Sequence, residues 1–266
     1  MSRMVGVGSV KGAPGVTSLA LVLAASWPRP VVLVEADPSG GDLTYRCRAA
    51  HGGVLHHRRT ILSLAAAAHA SPAMGRTDDV VLDHAQRLSC GVDVVAGCET
   101  SSQARGLRNL WADTVTALRR SPVDVILDLG RIDPAKAASA VPLNTVDVLV
   151  MLGASDFSSA VHLTEAVAEL TAVCSARGVS VVPALTGPDA TGERDCRDLD
   201  DMVRGCAVPP QRTVPVPVDP DALLRLEGGE RVAGRLGRTM LLRRATQLAR
   251  TLAGADDEVV TEVVTA

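Results

Sequence analysis

GSVKGAPGVTSLAL, Gly8–Leu21, decides how the rest of the chain is read. An apolar run, Met4–Val10, leads into Lys11, Gly12, Ala13, Pro14, Gly15, Val16, Thr17 and Ser18, and a helical pattern, Thr17–Ser26, follows. A strand, a small-residue loop and a helix start in that order form a natural anion site. The loop lets backbone N–H groups approach phosphate oxygens, and the helix N-terminus adds positive partial charge. Thr17 would then offer its hydroxyl to magnesium. The pattern G-x-x-x-x-G-K-[ST] nevertheless fails twice, at Val10 for the first glycine and at Val16 for the lysine. Two readings of the loop stand: a phosphate cradle, or a tight turn with Val16 packed on apolar neighbours.

Further valine-rich runs follow at Val31–Glu35, Val92–Ala96, Val123–Leu129, Val146–Leu152, Val179–Leu185 and Thr213–Val218. Near-continuous apolar runs are expected of strands covered on both faces. Helical patterns lie between them at Thr60–Ala70, Ser102–Arg119, Ser158–Arg177 and Thr239–Leu252, and Gly187–Arg197 reads as an exposed loop and helix start. The alternation predicts a doubly wound α/β fold, a mostly parallel sheet with helices on both faces. One domain over residues 1–254 and a frayed acidic tail over 255–266 are expected.

The chain has 266 residues, is 47% hydrophobic and only 2% aromatic, so its core must be built from valine, leucine and alanine. A net charge of −3 gives no global signal for nucleic acid or anionic membrane. The six cysteines are scattered without a CxxC pair, which argues against a zinc ribbon or redox motif. No leader or membrane-length apolar run is visible, so a cytoplasmic protein is expected.

In an open α/β sheet, ligands bind beyond the carboxyl ends of the strands. Two such ends carry acids here, in Glu35-Ala36-Asp37 and Leu127-Asp128-Leu129. With these acids in place, Lys11–Thr17 resembles the deviant Walker A loop of the ParA/MinD family of P-loop ATPases. Glu35-Ala36-Asp37 resembles its Walker A′ segment, and Asp128 its Walker B aspartate. The ending Val216-Pro217-Val218-Asp219-Pro220-Asp221-Ala222-Leu223-Leu224 is also similar. ADPSGGDL and RTMLLRRATQLARTL look most like the CpaE/TadZ branch, which belongs to Tad pilus and related secretion systems.

The resemblance implies ATP and magnesium as cofactors and a homodimer as the working form. Lys11 matches the signature lysine that reaches a partner's phosphates. Gly12, Ala13, Pro14 and Gly15 match the cradle, with Val16, Thr17 and Ser18 completing the loop. Thr17 and Asp128 match the magnesium residues, and Asp37 the carboxylate that places the attacking water. Pro217 and Asp219 match the segment that borders adenine.

Two departures bear on activity. Val181–Gly187 lacks an asparagine that relatives use to read adenine. Val16 removes the lysine that contacts the β- and γ-phosphates. Losing such a charge-assisted contact costs about 1.5–3 kcal/mol, one to two decades of affinity. Phosphoryl transfer rests on positioning and electrostatics, so very weak or no hydrolysis is expected.

Arg225, Arg231, Arg235, Arg238, Arg243, Arg244 and Arg250 form a basic region. Arg231, Arg235 and Arg238 have the spacing of one helical face. The region suits non-specific DNA binding, a solvated face, or a dock for an acidic partner. The tail carries Asp256, Asp257, Glu258 and Glu262, so the basic membrane-anchoring helix of MinD-type relatives is not expected. His56-His57 reads as a polar surface loop, Cys90 and Cys98 as buried small residues, and Ser155-Asp156 as either an interface segment or a helix cap. The leading expectation is a dimeric, ATP-sensitive localisation or scaffold factor for a pilus or secretion motor, recruited to a cell pole or inner-membrane assembly. The alternatives are a slow partitioning ATPase that binds DNA, and a structural interaction module without nucleotide.

Overall fold

The structure is a computed structural model that describes residues 2–10, 15–70, 79–135 and 142–254. The valine-rich runs form strands β1 (Met4–Ser9), β2 (Val31–Glu35), β4 (Asp93–Val95), β5 (Asp124–Arg131), β6 (Val148–Ala154), β7 (Ser180–Gly187) and β8 (Val214–Pro217), and a two-residue strand outside those runs, β3 (Gln86–Arg87), joins them. They make one eight-stranded sheet in the order β3-β4-β2-β5-β1-β6-β7-β8. Every pairing is parallel except that of β3 with β4 at one edge.

Ten α-helices accompany the described strands: α1 (Val16–Ala25), α2 (Leu43–Arg46), α3 (Ile61–Ala70), α4 (Val80–His84), α5 (Ser101–Gly106), α6 (Trp111–Arg120), α7 (Phe157–Ser175), α8 (Asp189–Val203), α9 (Pro220–Glu227) and α10 (Met240–Ala253). Alternation along each strand divides the core in two. Val5, Val7, Leu33, Ile126 and Val150 pack with residues of α1, α9 and α10. Met4, Val32, Val34, Val125, Leu127 and Met151 pack with residues of α3, α6, α7 and α8 on the other face. Both faces are thus covered, as the unbroken apolar strands require.

Carboxylates pin the amino-terminal edge of the sheet. Asp124, 3% exposed, accepts from Arg3 N at 2.7 Å, Trp27 Nε1 at 2.8 Å and Arg29 Nε at 2.6 Å. Asp147 accepts from Met4 N at 2.7 Å and from both terminal nitrogens of Arg119 at 2.9 Å. Consecutive residues at the start of β1 are therefore held by acids from its two neighbouring strands. At the opposite edge Glu35 and Asp128 are register partners, and Val7 also pairs with Asp128. The carboxyl ends of β1, β2 and β5 coincide there.

Two expectations need correction. Ser102–Arg119 is not one helix: α5 ends at Gly106, a 3-10 turn covers Leu107–Asn109, and α6 begins at Trp111. Gly106 and Asn109 are weak helix formers, and Leu107 is drawn into the core at 3% exposure. Arg231, Arg235 and Arg238 do not share a helical face, because only Leu236–Arg238 is helical there, as a 3-10 turn. Gly228, Gly229, Gly234 and Gly237 punctuate this stretch and deny it α-helical continuity. Gly187–Arg197 is helical from Asp189 onward.

Candidate nucleotide site

Among the described residues no side chain caps the start of helix α1. Its preceding residue, Gly15, has φ 82° and no side chain to cap the first turn, and that turn carries no acid. The left-handed φ is one that glycine alone adopts without strain. Other helices here are capped by side chains, as by Asp79, Thr100, Asp156 and Asp219. Uncapped first-turn N–H groups are available to an anion. Lys11, Gly12, Ala13 and Pro14 lie outside the described residues. The strand end before them is fixed, since Arg131 Nε donates to Val10 O at 2.7 Å and Ile132 N to Ser9 O at 2.7 Å.

Thr17, in the first turn of α1, stands beside the Asp128 carboxylate and favours its charged form. Asp128 accepts from Gly130 N at 3.1 Å and is 1% exposed. Burial pushes its carboxyl up to about 6, with the Thr17 hydroxyl and the Gly130 hydrogen bond opposing the rise and the charges of Glu35 and Asp37 adding to it. A buried carboxylate held at such a value is short of positive charge. Thr17 and Asp128 are hard oxygen donors of the kind magnesium takes. Among the described residues no cluster of three or more metal-ligating side chains occurs, so most of an ion's shell would have to come from water and phosphate.

Asp37 stands beside this pair. Its Oδ1 accepts from Ser39 N at 2.7 Å, and a Cβ on Gly130 would fall 1.9 Å from its Oδ2. Gly130, at φ 58°, is thus required by both its backbone and its neighbour. Glu35, next to Asp37 in the motif, has a different role. Its Oε1 accepts from Asp42 N at 2.7 Å and Leu43 N at 2.9 Å, and its Oε2 from Gly97 N at 3.0 Å. Burial raises its carboxyl above the usual range while these three donors oppose the rise. It ties the loop before α2 to the end of β2.

Val16 is 2% exposed and packs in the core beneath α1. Its side chain has taken the apolar course that the second reading of the loop describes. Next to it opens a cleft of about 300 Å³ whose lining includes Gly15, Ser18, Leu19, Thr186, Pro217 and Asp219. That volume is at the lower bound for a small-molecule pocket. Pro217 and Asp219 therefore border the same space as the start of α1. The Asp219 carboxylate is occupied as a cap, accepting from Ala222 N at 3.0 Å. Thr186 stands in the segment that lacks the asparagine.

No pattern in the sequence pointed to Arg46. Its Nη2 donates to Ser18 Oγ at 2.7 Å, and its guanidinium pairs with Glu227, with Nε at 3.0 Å from Oε1. These residues come from α2, α1 and α9, and no spacing rule joins positions so far apart. The remaining candidates are structural. Asp156 caps α7 by accepting from Ser159 N at 3.0 Å. Cys90 and Cys98 are buried, and burial pushes the Cys98 thiol up to about 11. His56 and His57 stack on each other in an exposed loop. Arg225 is neutralised by Glu230, and Arg244 pairs with Glu193.

The fold is that of the α/β P-loop nucleotide hydrolases. Within that class it is the ParA/MinD form. It is similar to a ParA family ATPase from Chlorobium tepidum, with TM-score 0.67 and 18% identity over 93% of this chain and 97% of that one. The Pyrococcus furiosus cell division ATPase MinD gives TM-score 0.67 and 15% identity over 94% and 98%. A Cyanothece McdA variant in complex with ATP gives TM-score 0.59 and 14% identity over 95% and 96%. The chain matches no family model, and no curated protein is similar to it in sequence. At such identities the likeness is one of fold.

Proposed function

We propose that residues 1–254 form one ParA/MinD-type unit that binds ATP with magnesium at the start of α1 and hydrolyses it very weakly or not at all. The observation that carries this reading is the placement of Thr17, in the uncapped first turn of α1, beside the buried carboxylate of Asp128. A tight turn alone has no need of a carboxylate kept so short of cations. Thr17 and Asp128 would hold magnesium, and Asp37 would orient water. When bound, the ion would neutralise phosphate charge. Gly15, Val16, Thr17 and Ser18 offer backbone donors to the phosphates, with Lys11, Gly12, Ala13 and Pro14 completing the cradle. Pro217 and Asp219 would border the base. Slow turnover follows from the burial of an apolar side chain at position 16.

In this reading the protein works as a nucleotide-sensitive dimer that positions a pilus or secretion motor, as in the CpaE/TadZ branch. Exposed apolar side chains on the site-bearing edge support a dimer: Phe157 is 82% exposed, Tyr45 75% and Val218 60%. In the chain they follow the carboxyl ends of β6, β2 and β8, and Val218 lines the cleft. Among the described residues no helix is long and apolar enough to cross a membrane, so recruitment to a pole or inner-membrane assembly would run through a partner. Arg231, Arg235, Arg238, Arg243 and Arg250 are exposed and support a second reading, non-specific DNA binding by a slow partitioning ATPase.

Calorimetric titration with ATP and magnesium tests the first reading. Saturable heat with a rise in melting temperature is expected, and neither effect at millimolar ATP would leave only an interaction module. DNA affinity that falls steeply with salt would support the second reading.

A further inference from the structure

The chain has two lysines, Lys11 and Lys136. With Val16 buried, a cation that stabilises polyphosphate from within the same subunit has few sources. Among the described residues two guanidinium groups bond to residues on either side of positions 11–14, at Val10 and at Ser18. Arg131 is exposed and its Nε is engaged by Val10 O, which anchors the loop's entry. Arg46 is placed otherwise. Its Nη2 lies 2.7 Å from Ser18 Oγ, and Ser18 lines the cleft in the first turn of α1. Its side chain is 27% exposed, and that of its counter-ion Glu227 is 13% exposed.

The mounting of Arg46 is rigid where it matters. Asp42 and Leu43, at the start of α2, donate to Glu35 Oε1, so the segment that carries Arg46 is anchored to the strand end that also carries Asp37. Among the described residues the far end of the side chain is held by Ser18 and Glu227, both polar partners that an anion can replace. Glu227 is the last residue of α9, and α9 supplies Leu223 to the cleft wall.

We propose that Arg46 is a phosphate-binding residue of the cleft, exchanging Glu227 for a nucleotide phosphate at the start of α1 and supplying in cis the charge that Val16 does not. Glu227 competes with phosphate for one guanidinium, so phosphate binding also releases the end of α9. Occupancy of the phosphate site is thereby coupled to a helix that lines the cleft. This rests on the nucleotide reading above and deepens it by naming the cation and its competitor.

The test titrates the full chain with ATP and magnesium, comparing wild type with Arg46→Gln, Arg46→Lys, Glu227→Gln and the double variant Arg46→Gln/Glu227→Gln. Arg46→Gln is expected to weaken ATP about ten- to a hundredfold, the worth of a charge-assisted contact. Arg46→Lys recovers part of that loss. Glu227→Gln tightens binding several-fold, because the competing carboxylate is gone. The double variant leaves no half-buried unpaired charge, so it separates a binding defect from a folding defect. If its circular dichroism is native and it binds ATP as wild type does, Arg46 is not a phosphate ligand and the nucleotide reading survives without it. A loss that follows Arg131→Gln in place of Arg46→Gln overturns the inference in the same way. If wild type takes no ATP at all, the nucleotide reading itself fails and the role of Arg46 falls with it.

Discussion

Thr17, in the first turn of α1, stands beside the buried carboxylate of Asp128 on β5 and opposes the rise of its pKa. Burial holds that carboxyl at about 6 against an ordinary value of 3.8. The folded chain therefore binds this proton more tightly than the unfolded chain does. The resulting stabilisation is complete below about pH 4 and is lost as pH rises through 6. Asp128→Asn keeps an acceptor beside Thr17 and does not titrate. In EDTA, urea denaturation is expected to show the variant more stable than wild type at pH 8 by about 3 kcal/mol, with the difference closing toward pH 4. A difference that is constant with pH would mean the carboxylate is not strained by burial. The same substitution is expected to remove the magnesium-dependent part of stabilisation by ATP.

Gly130→Ala sets two penalties on one methyl group. The backbone is at φ 58°, and the new Cβ would sit 1.9 Å from Oδ2 of Asp37. A left-handed non-glycine residue costs about 1–2 kcal/mol. The clash adds to this and drives Asp37 from the site. The double variant Gly130→Ala/Asp37→Ala should therefore lose less stability than the sum of the two single variants. A thermodynamic cycle from urea denaturation measures that coupling. Simple additivity would place Asp37 away from Gly130.

Asp124 and Asp128 occupy the same strand four residues apart, and the motif singled out one of them. The apolar runs and their order made the parallel sheet legible, because burial on both faces leaves a continuous apolar signature. The glycine loop and the acids at two strand ends likewise placed the site at the carboxyl edge. Asp124 was silent because its partners, Arg3, Trp27 and Arg29, are assembled by the fold. Glu35 read as part of a catalytic-looking motif, yet all three of its hydrogen-bond donors are backbone N–H groups. Arg46 and Glu227 are 181 positions apart, and charge pairing over such a distance leaves no local pattern. The arginines near residue 235 misled in the opposite sense, since helical spacing means nothing where glycine breaks the helix.

Asp124→Ala should be among the more damaging single changes outside the site. It leaves Trp27 Nε1 and Arg3 N without their acceptor and strips Arg29 of its counter-ion. Removing one member of a buried hydrogen-bonded charge pair costs roughly 3–5 kcal/mol. Arg29 is partly exposed, so the lower end is expected, about 3 kcal/mol by urea denaturation. Unchanged stability would show that the clamp at the start of β1 is redundant with the one that Asp147 provides.

Val16→Lys brings two effects into opposition. Val16 is 2% exposed among the side chains beneath α1, and an ammonium cannot be left there without a partner. Without nucleotide the variant should be less stable than wild type by about 1–3 kcal/mol, through the lost packing and the cost of turning the longer chain out of the core. With ATP and magnesium the ammonium can meet phosphate, and the nucleotide-dependent rise in melting temperature should exceed that of wild type. The informative quantity is the difference between the two shifts, because it cancels the packing loss common to both states. A larger shift accompanied by faster phosphate release would mean that Thr17, Asp37 and Asp128 are still set for hydrolysis and that the valine alone holds turnover down. A larger shift with no release would locate the remaining defect in water placement, and Asp37 would be the residue to change next. A shift equal to that of wild type would mean that position 16 no longer faces the phosphates.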